Sequence, residues 1–344
     1  MLFRSWERRL ASVTTDRVVR PFEWGLDWLP PGTASPASSP ADSVGQWVST
    51  VMADTDAFYT PPPISEYTLH TRGHDGEQRL TFPSALVTPH PDNNVVHTRI
   101  FHAREPRPGA PRAAVLVLPQ WNADEGGHVG LCRLLTMHGL TAMRLSLPYH
   151  DRRMPPELHR ADYIVSSNIV RTLQVCRQAV LDARRAIAWL HAQGYDRIGI
   201  LGSSLGSCLS LLSTAHEPLV RAQALNHISP YFADVVWRGI STAHVREGLD
   251  GRIELDVLRD LWKPLSPAHF LERVRTRKTL LVYAMYDLTF PVDLSRQLVR
   301  QFEREHVPHE LAVLRCGHYT TGVTPFKFID GLILSRFLRR ALLG

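Results

Sequence analysis

Long apolar runs are missing from this 344-residue chain. No stretch approaches the roughly 20 apolar residues that a bilayer-spanning helix needs, so the expectation is a chain that is soluble or at most peripheral to a membrane. An apolar centre is also missing near the amino terminus, where Glu7, Arg8 and Arg9 interrupt it, and a secretory signal is therefore not read there. Cysteine is scarce. Cys132, Cys176, Cys208 and Cys316 are scattered without a C-x-x-C pair, and three of them fall in apolar helical or strand patterns. That argues against disulfides and a cysteine zinc site and suits a reducing, cytoplasmic compartment. Concentrated positive charge is absent too. The formal charge of +6 is spread over the amino terminus, residues 171 to 185 and the carboxyl terminus, with no aromatic-interleaved basic repeat, so no nucleic-acid partner is expected. Among the 17 histidines, His70 and His74 stand four apart, but Gly73 and Gly76 oppose a helix there, and no metal site is read.

What is present is ordinary globular material, 44% hydrophobic and 21% charged, enough for a sizeable core. The length fits one large domain, residues 65–344, with an extension, residues 1–64. Within the extension, residues 1–29 mix five arginines with Phe3, Trp6, Leu10, Phe22, Trp24 and Trp28. They read either as an arm packing on the main domain or as an amphipathic segment making peripheral contact with an anionic membrane. Residues 30–40 have the composition of a linker. A short helical pattern over 44–58 stops at Pro61, Pro62 and Pro63.

Residues 66–71, 79–87 and 94–101 hold alternating and β-branched residues between Gly, Pro and Asn breaks, which predicts antiparallel leading strands. After Pro111 the pattern changes. Apolar runs at 113–118, 141–147, 197–201, 222–228, 279–285 and 310–316 alternate with helical segments, the signature of parallel strands buried on both faces. Ile169, Leu173, Cys176, Val180, Ala183, Ile187 and Leu190 form one stripe of a long helix, with Gly194 as its cap. The predicted fold class is α/β: a mostly parallel central sheet, helices on both faces and antiparallel leading strands. Residues 229–275, with Tyr231, Phe232, Trp237 and Trp262, read either as a small helical lid over a site or as a plain crossover.

Where the run Arg197–Leu201 meets a helical pattern, Gly202-Ser203-Ser204-Leu205-Gly206 spells G-x-S-x-G. The flanking glycines remove side chains that would collide as strand reverses into helix, and Ser204 is left on the turn as a nucleophile elbow. A serine hydroxyl needs a base, and the base needs an orienting group. In a parallel sheet such groups gather at the carboxyl ends of the strands. Asp287 follows one late strand, ahead of Phe290-Pro291, and Gly317-His318 follows the last. Asp234 is a second candidate acid. His306 and His309 precede the last strand and point away.

The order Ser204, Asp287, His318 resembles the α/β-hydrolase superfamily over residues 80–344. The resemblance implies an α/β-hydrolase fold, Ser204 as nucleophile, Asp287 as orienting acid, His318 as general base, and no metal or organic cofactor. It implies an oxyanion hole of backbone N–H groups, one from Leu205 and one from Gln120 or Trp121. Here Pro119-Gln120-Trp121-Asn122 replaces the His-Gly-Gly of lipases and is similar to dienelactone-hydrolase-like and esterase branches. Tyr149, Trp237 and Phe290 are candidate pocket residues, and Pro148–Arg152 either shapes the pocket or forms a structural turn. The expected activity is hydrolysis of small-molecule carboxylic esters. The alternatives are an acyltransferase or lipid-directed hydrolase, and an inactive binding protein on the same fold.

Overall fold

The structure is a computed structural model that describes residues 2–33, 38–71, 77–104 and 109–344. The His74 pairing with its neighbouring glycines, and the middle of the proline-rich linker, lie outside the described residues.

Nine strands form one sheet in the order β1-β2-β3-β5-β4-β6-β7-β8-β9. Strands β1 (Thr68–Leu69), β2 (Glu77–Pro83) and β3 (Val95–Phe101) are antiparallel, and β3 pairs antiparallel with β5. Strands β4 (Ala113–Leu118), β5 (Thr141–Leu145), β6 (Arg197–Ser203), β7 (Val220–Asn226), β8 (Lys278–Ala284) and β9 (Glu310–Leu314) run parallel. The reason is visible in β4. Ala114, Leu116 and Leu118 enter one apolar cluster, Ala113, Val115 and Val117 the other, and all six are buried. A strand without a polar face can only sit between two layers.

The helices are α1 (Leu2–Ser12), α2 (Pro40–Ala53), α3 (Thr55–Tyr59), α4 (Val129–Met137), α5 (Ile169–Ala192), α6 (Leu205–His216), α7 (Phe232–Arg238), α8 (Ala243–Leu249), α9 (Leu255–Leu261), α10 (Val292–Arg304) and α11 (Phe326–Leu343). Helix α5 starts where the Asn168 side chain accepts the Arg171 N–H at 2.9 Å, and Gly194, at φ 83°, follows its end. It packs with α6 on one face of the sheet, while Cys132 and Leu135 of α4 meet Leu334, Phe337 and Leu338 of α11 on the other.

Much of the described amino-terminal extension shares the main core. Val44, Trp47, Val48 and Val51 of α2 and Phe58 and Tyr59 of α3 belong to the same apolar cluster as α5 and α6. Helix α1 lies at the carboxyl rim of the sheet, where Phe3 stacks on Tyr286 with ring centroids 4.9 Å apart. Residues 229–275 fold into α7 to α9 and short turns. They are anchored by fully buried Trp262, whose indole N–H donates to Ile169 O at 3.1 Å. No helix among the described residues is long and apolar enough to cross a membrane.

Candidate active site

Strand β6 turns into α6 through Ser204, whose φ of 56° and ψ of −120° are strained for a residue with a side chain. The flanking glycines are a steric necessity. A Cβ on Gly202 would stand 2.1 Å from Gly206 O, and one on Gly206 would stand 2.2 Å from Leu118 O. The strain is held by Ser204 N–H donating to Asn226 O at 2.7 Å and by Ser207 Oγ donating to Ser204 O at 2.6 Å. Ser204 lines a cavity of about 900 Å³ at the carboxyl ends of the parallel strands.

Asp287, just beyond β8, is buried and fully engaged. Its Oδ1 accepts the backbone N–H groups of Thr289 at 2.8 Å and Phe290 at 2.7 Å. Its Oδ2 accepts from Nδ1 of His318 at 3.0 Å and from Nδ1 of His227 at 2.9 Å. Burial alone would raise its pKa, but the charge of His318 and the hydrogen bonds from both imidazoles hold the carboxyl far below its ordinary value. It stays ionised throughout the physiological range.

His318 follows β9 and lines the same cavity as Ser204, with Phe290 stacked on its ring at 5.5 Å. Its Nδ1–H is committed to Asp287, which leaves Nε2 as the basic atom. Among the described residues no hydrogen bond joins Ser204 Oγ to His318; such bonds commonly tighten only when substrate arrives. The loop that carries His318 is clasped from α1. The buried Glu7 carboxylate accepts Tyr319 N–H at 3.0 Å, Thr320 N–H at 2.8 Å and the Thr320 hydroxyl at 2.9 Å. A Cβ on Gly317 would fall 2.2 Å from Glu7 Cδ. The N-terminal segment also reaches over the cavity, where Arg17 donates to the Tyr319 hydroxyl at 3.1 Å.

Leu205, Gln120 and Trp121 all line the cavity, and among the described residues their backbone N–H groups have no hydrogen-bond acceptor. The turn after β4 is rigid without glycine. Asn122 N–H donates to His150 Nε2 at 2.9 Å, while Nδ1 of that ring donates to Pro148 O at 2.9 Å. Burial pushes the His150 pKa down to about 4, so the ring is neutral at pH 7 and can accept the Asn122 proton. The Trp121 indole N–H donates to Ala161 O at 2.9 Å, and its ring stacks on His244.

No family model and no curated protein matches the chain in sequence. Solved structures do match in shape. Acetyl xylan esterase 1 from Thermoanaerobacterium sp. JW/SL YS485 aligns with TM-score 0.58 and 15% identity over 92% of this chain and 99% of that one. The acetyl xylan esterase from Paenibacillus sp. R4 aligns with TM-score 0.59 and 13% identity over 92% and 98%. Uncomplexed Pyrococcus horikoshii acylaminoacyl peptidase aligns with TM-score 0.60 and 14% identity over 77% of this chain and 41% of that one, so the chain spans about two fifths of the peptidase. The chain has the α/β-hydrolase fold.

Within this α/β-hydrolase fold, several residues singled out from the sequence stand elsewhere. Tyr149, at a backbone φ of 63°, is fully buried away from the cavity; its hydroxyl bonds His90 Nδ1 at 3.0 Å and its ring packs edge-on against Tyr163. Trp237 is half-buried, packed against the main apolar cluster and beneath Arg246 at 5.4 Å, and does not line the cavity. Phe290 does line it. Pro148–Arg152 is a structural turn, with Asp151 receiving Arg144 at 2.9 Å and Ser146 at 2.8 Å. Asp234 is paired with Arg259 at 2.6 and 2.8 Å and makes no hydrogen bond to His318.

Two residues of the site escaped the sequence reading, Glu7 and His227. His227 follows β7 directly, the position class that holds the other site residues, and that was the one signal available. Burial pushes the His227 pKa down, but the hydrogen bond to Asp287 together with the negative charges of Asp287, Asp330 and Glu7 more than offsets it, leaving it above the ordinary value. Ligand atoms of His227, Asp287 and His318 lie within 4.8 Å of one another, close enough for a metal ion. The two Nδ1–H donors and the shared Oδ2 already satisfy that cluster with protons.

Proposed function

We propose that this chain is a serine hydrolase of carboxylic esters. Asp287 Oδ2 fixes the Nδ1–H tautomer of His318, and His318 Nε2 takes the proton of Ser204 Oγ as that oxygen attacks the ester carbonyl. The tetrahedral oxyanion is received by the N–H of Leu205 and by that of Gln120 or Trp121, donors already oriented before substrate enters. Collapse of the intermediate breaks the C–O bond, and His318 returns the proton to the departing alcohol. A water that gives its proton to His318 then releases the acid from Ser204. None of these steps needs a metal or organic cofactor.

The observation that supports this reading is a strained serine sharing one cavity wall with an imidazole hydrogen-bonded to a buried, ionised carboxylate. Ester over peptide is favoured by the two esterases that the chain matches along nearly their whole length, and by a largely apolar cavity with Leu131, Leu134, Val165, Phe232 and Val236 in its wall. All four cysteines are free and buried, which supports a reducing compartment such as the cytoplasm. Residues 229–275 supply one wall of the cavity, the place a lid would occupy. Hydrolysis of p-nitrophenyl butyrate that disappears in Ser204→Ala is the expected result; a pure Ser204→Ala sample retaining the wild-type rate refutes the mechanism.

A further inference from the structure

The cavity that holds Ser204 is also lined by Asn226 and His227 at the end of β7 and by Asp330 of α11. These three are 3%, 3% and 7% exposed. Each has one buried polar atom without a partner among the described residues: Asn226 Oδ1, His227 Nε2 and Asp330 Oδ1. Their other atoms are committed. Asn226 Nδ2 donates to Asp330 Oδ2 at 2.8 Å, and His227 Nδ1 donates to Asp287 Oδ2 at 2.9 Å. Buried polar atoms in native proteins are paired almost without exception, and an unpaired one in a cavity wall points to a ligand that pairs it.

We propose that Asn226, His227 and Asp330 form a subsite for the free hydroxyl groups of the alcohol half of the substrate, so that the esters cleaved are those of a diol, polyol or sugar. The proposal rests on the hydrolase reading above and adds the alcohol class to it. The chemistry of the three atoms selects a hydroxyl. Asn226 Oδ1 can only accept, whereas His227 Nε2 and Asp330 Oδ1 accept when deprotonated and donate when protonated. A hydroxyl does both and matches either state. An ammonium group only donates, and it would enter a cavity lined by Arg17, Arg133, Arg160 and Lys327 against Asp330 as the single acid among the described lining residues. A simple alkyl alcohol would leave the three atoms buried and unpaired, a loss of roughly tenfold for each.

The test compares three butyrates with the full chain at pH 7: ethyl butyrate, glyceryl 1-monobutyrate and 2-(dimethylamino)ethyl butyrate, which is cationic there. The acyl group is shared, so the ratio of kcat/KM values isolates the alcohol. The glyceryl ester is expected to exceed the ethyl ester at least tenfold, and Asp330→Leu and Asn226→Leu are each expected to cut that ratio about tenfold. Asp330→Asn preserves the shape and gives the same test, with a smaller fall, if the leucine variants do not fold. A glyceryl-to-ethyl ratio near one, a ratio unchanged in folded variants, or preference for the cationic ester would overturn the subsite while leaving ester hydrolysis intact. Cleavage of none of the three, together with an unreactive Ser204, would overturn the hydrolase reading and the subsite with it.

Discussion

Glu7→Ala is the substitution whose consequence is least visible from the sequence. Its carboxylate accepts three hydrogen bonds from the two residues after His318, in a fully buried site. A hydrogen bond to a charged group contributes about 1.5–3 kcal/mol, but water entering the vacated space recovers part of it, so a net loss of about 3 kcal/mol is expected. Unfolding entropy of about 2.1 cal/mol/K per residue over 344 residues turns that into a fall in Tm of about 4 °C. The effect on catalysis is larger. With its clasp gone the loop carrying His318 shifts, and a displacement of about 1 Å is worth roughly a hundredfold in kcat. Because Asn226, His227 and Asp330 and most of the cavity wall lie on other elements, KM should change less than kcat. Glu7→Gln retains one acceptor oxygen and should lie between. Gly317 provides a coupling test. Gly317→Ala clashes with the Glu7 side chain and should be strongly destabilising alone, yet far less so combined with Glu7→Ala. Calorimetric melting and ester kinetics on the four proteins decide it. Wild-type kcat and Tm in Glu7→Ala would refute the reasoning.

Asp330 gives a pH signature. Burial raises its carboxyl to about 6 from an ordinary 3.8, so between those values the native state holds a proton that the unfolded chain releases, and stability falls as pH rises through that window. About two pH units at 1.36 kcal/mol each come to roughly 3 kcal/mol. The wild-type advantage over Asp330→Asn in urea unfolding should shrink by about that much between pH 4 and pH 7; a flat difference contradicts it. Gly206→Ala would drive a methyl into Leu118 O and should give insoluble or inactive protein, so soluble protein with full kcat would show the elbow is looser than described. His227→Phe removes one of two imidazole donors from Asp287 Oδ2 and should lower kcat about tenfold while leaving His318 in place; unchanged kcat would mean the second imidazole is idle.

Much of this architecture is legible in the chain because its determinants are local. The unbroken apolar run of β4, the stripe of α5 and the two glycines around Ser204 each encode their element within a few residues. Asp287 and His318 can be found by their positions after strands. His227 occupies an equivalent position but carries no neighbouring motif, and its role depends on a backbone at φ 59° and a shared carboxylate oxygen. Glu7 meets Tyr319 across 312 positions; such a pairing leaves no periodicity to read. Tyr149 and Trp237 show the opposite error. An aromatic residue near a strand end resembles a pocket wall, but side-chain direction decides, and one is buried against His90 and Tyr163 while the other packs on the main core beneath Arg246.

The measurement that bears most directly on the central claim is labelling of the folded chain by a fluorophosphonate, with the modified residue located by mass spectrometry. One adduct on Ser204 is expected, abolished in Ser204→Ala and slowed at least a hundredfold in His318→Ala. A folded wild-type protein with no adduct on Ser204, or a His318→Ala variant labelled at the wild-type rate, would contradict a serine activated by that histidine.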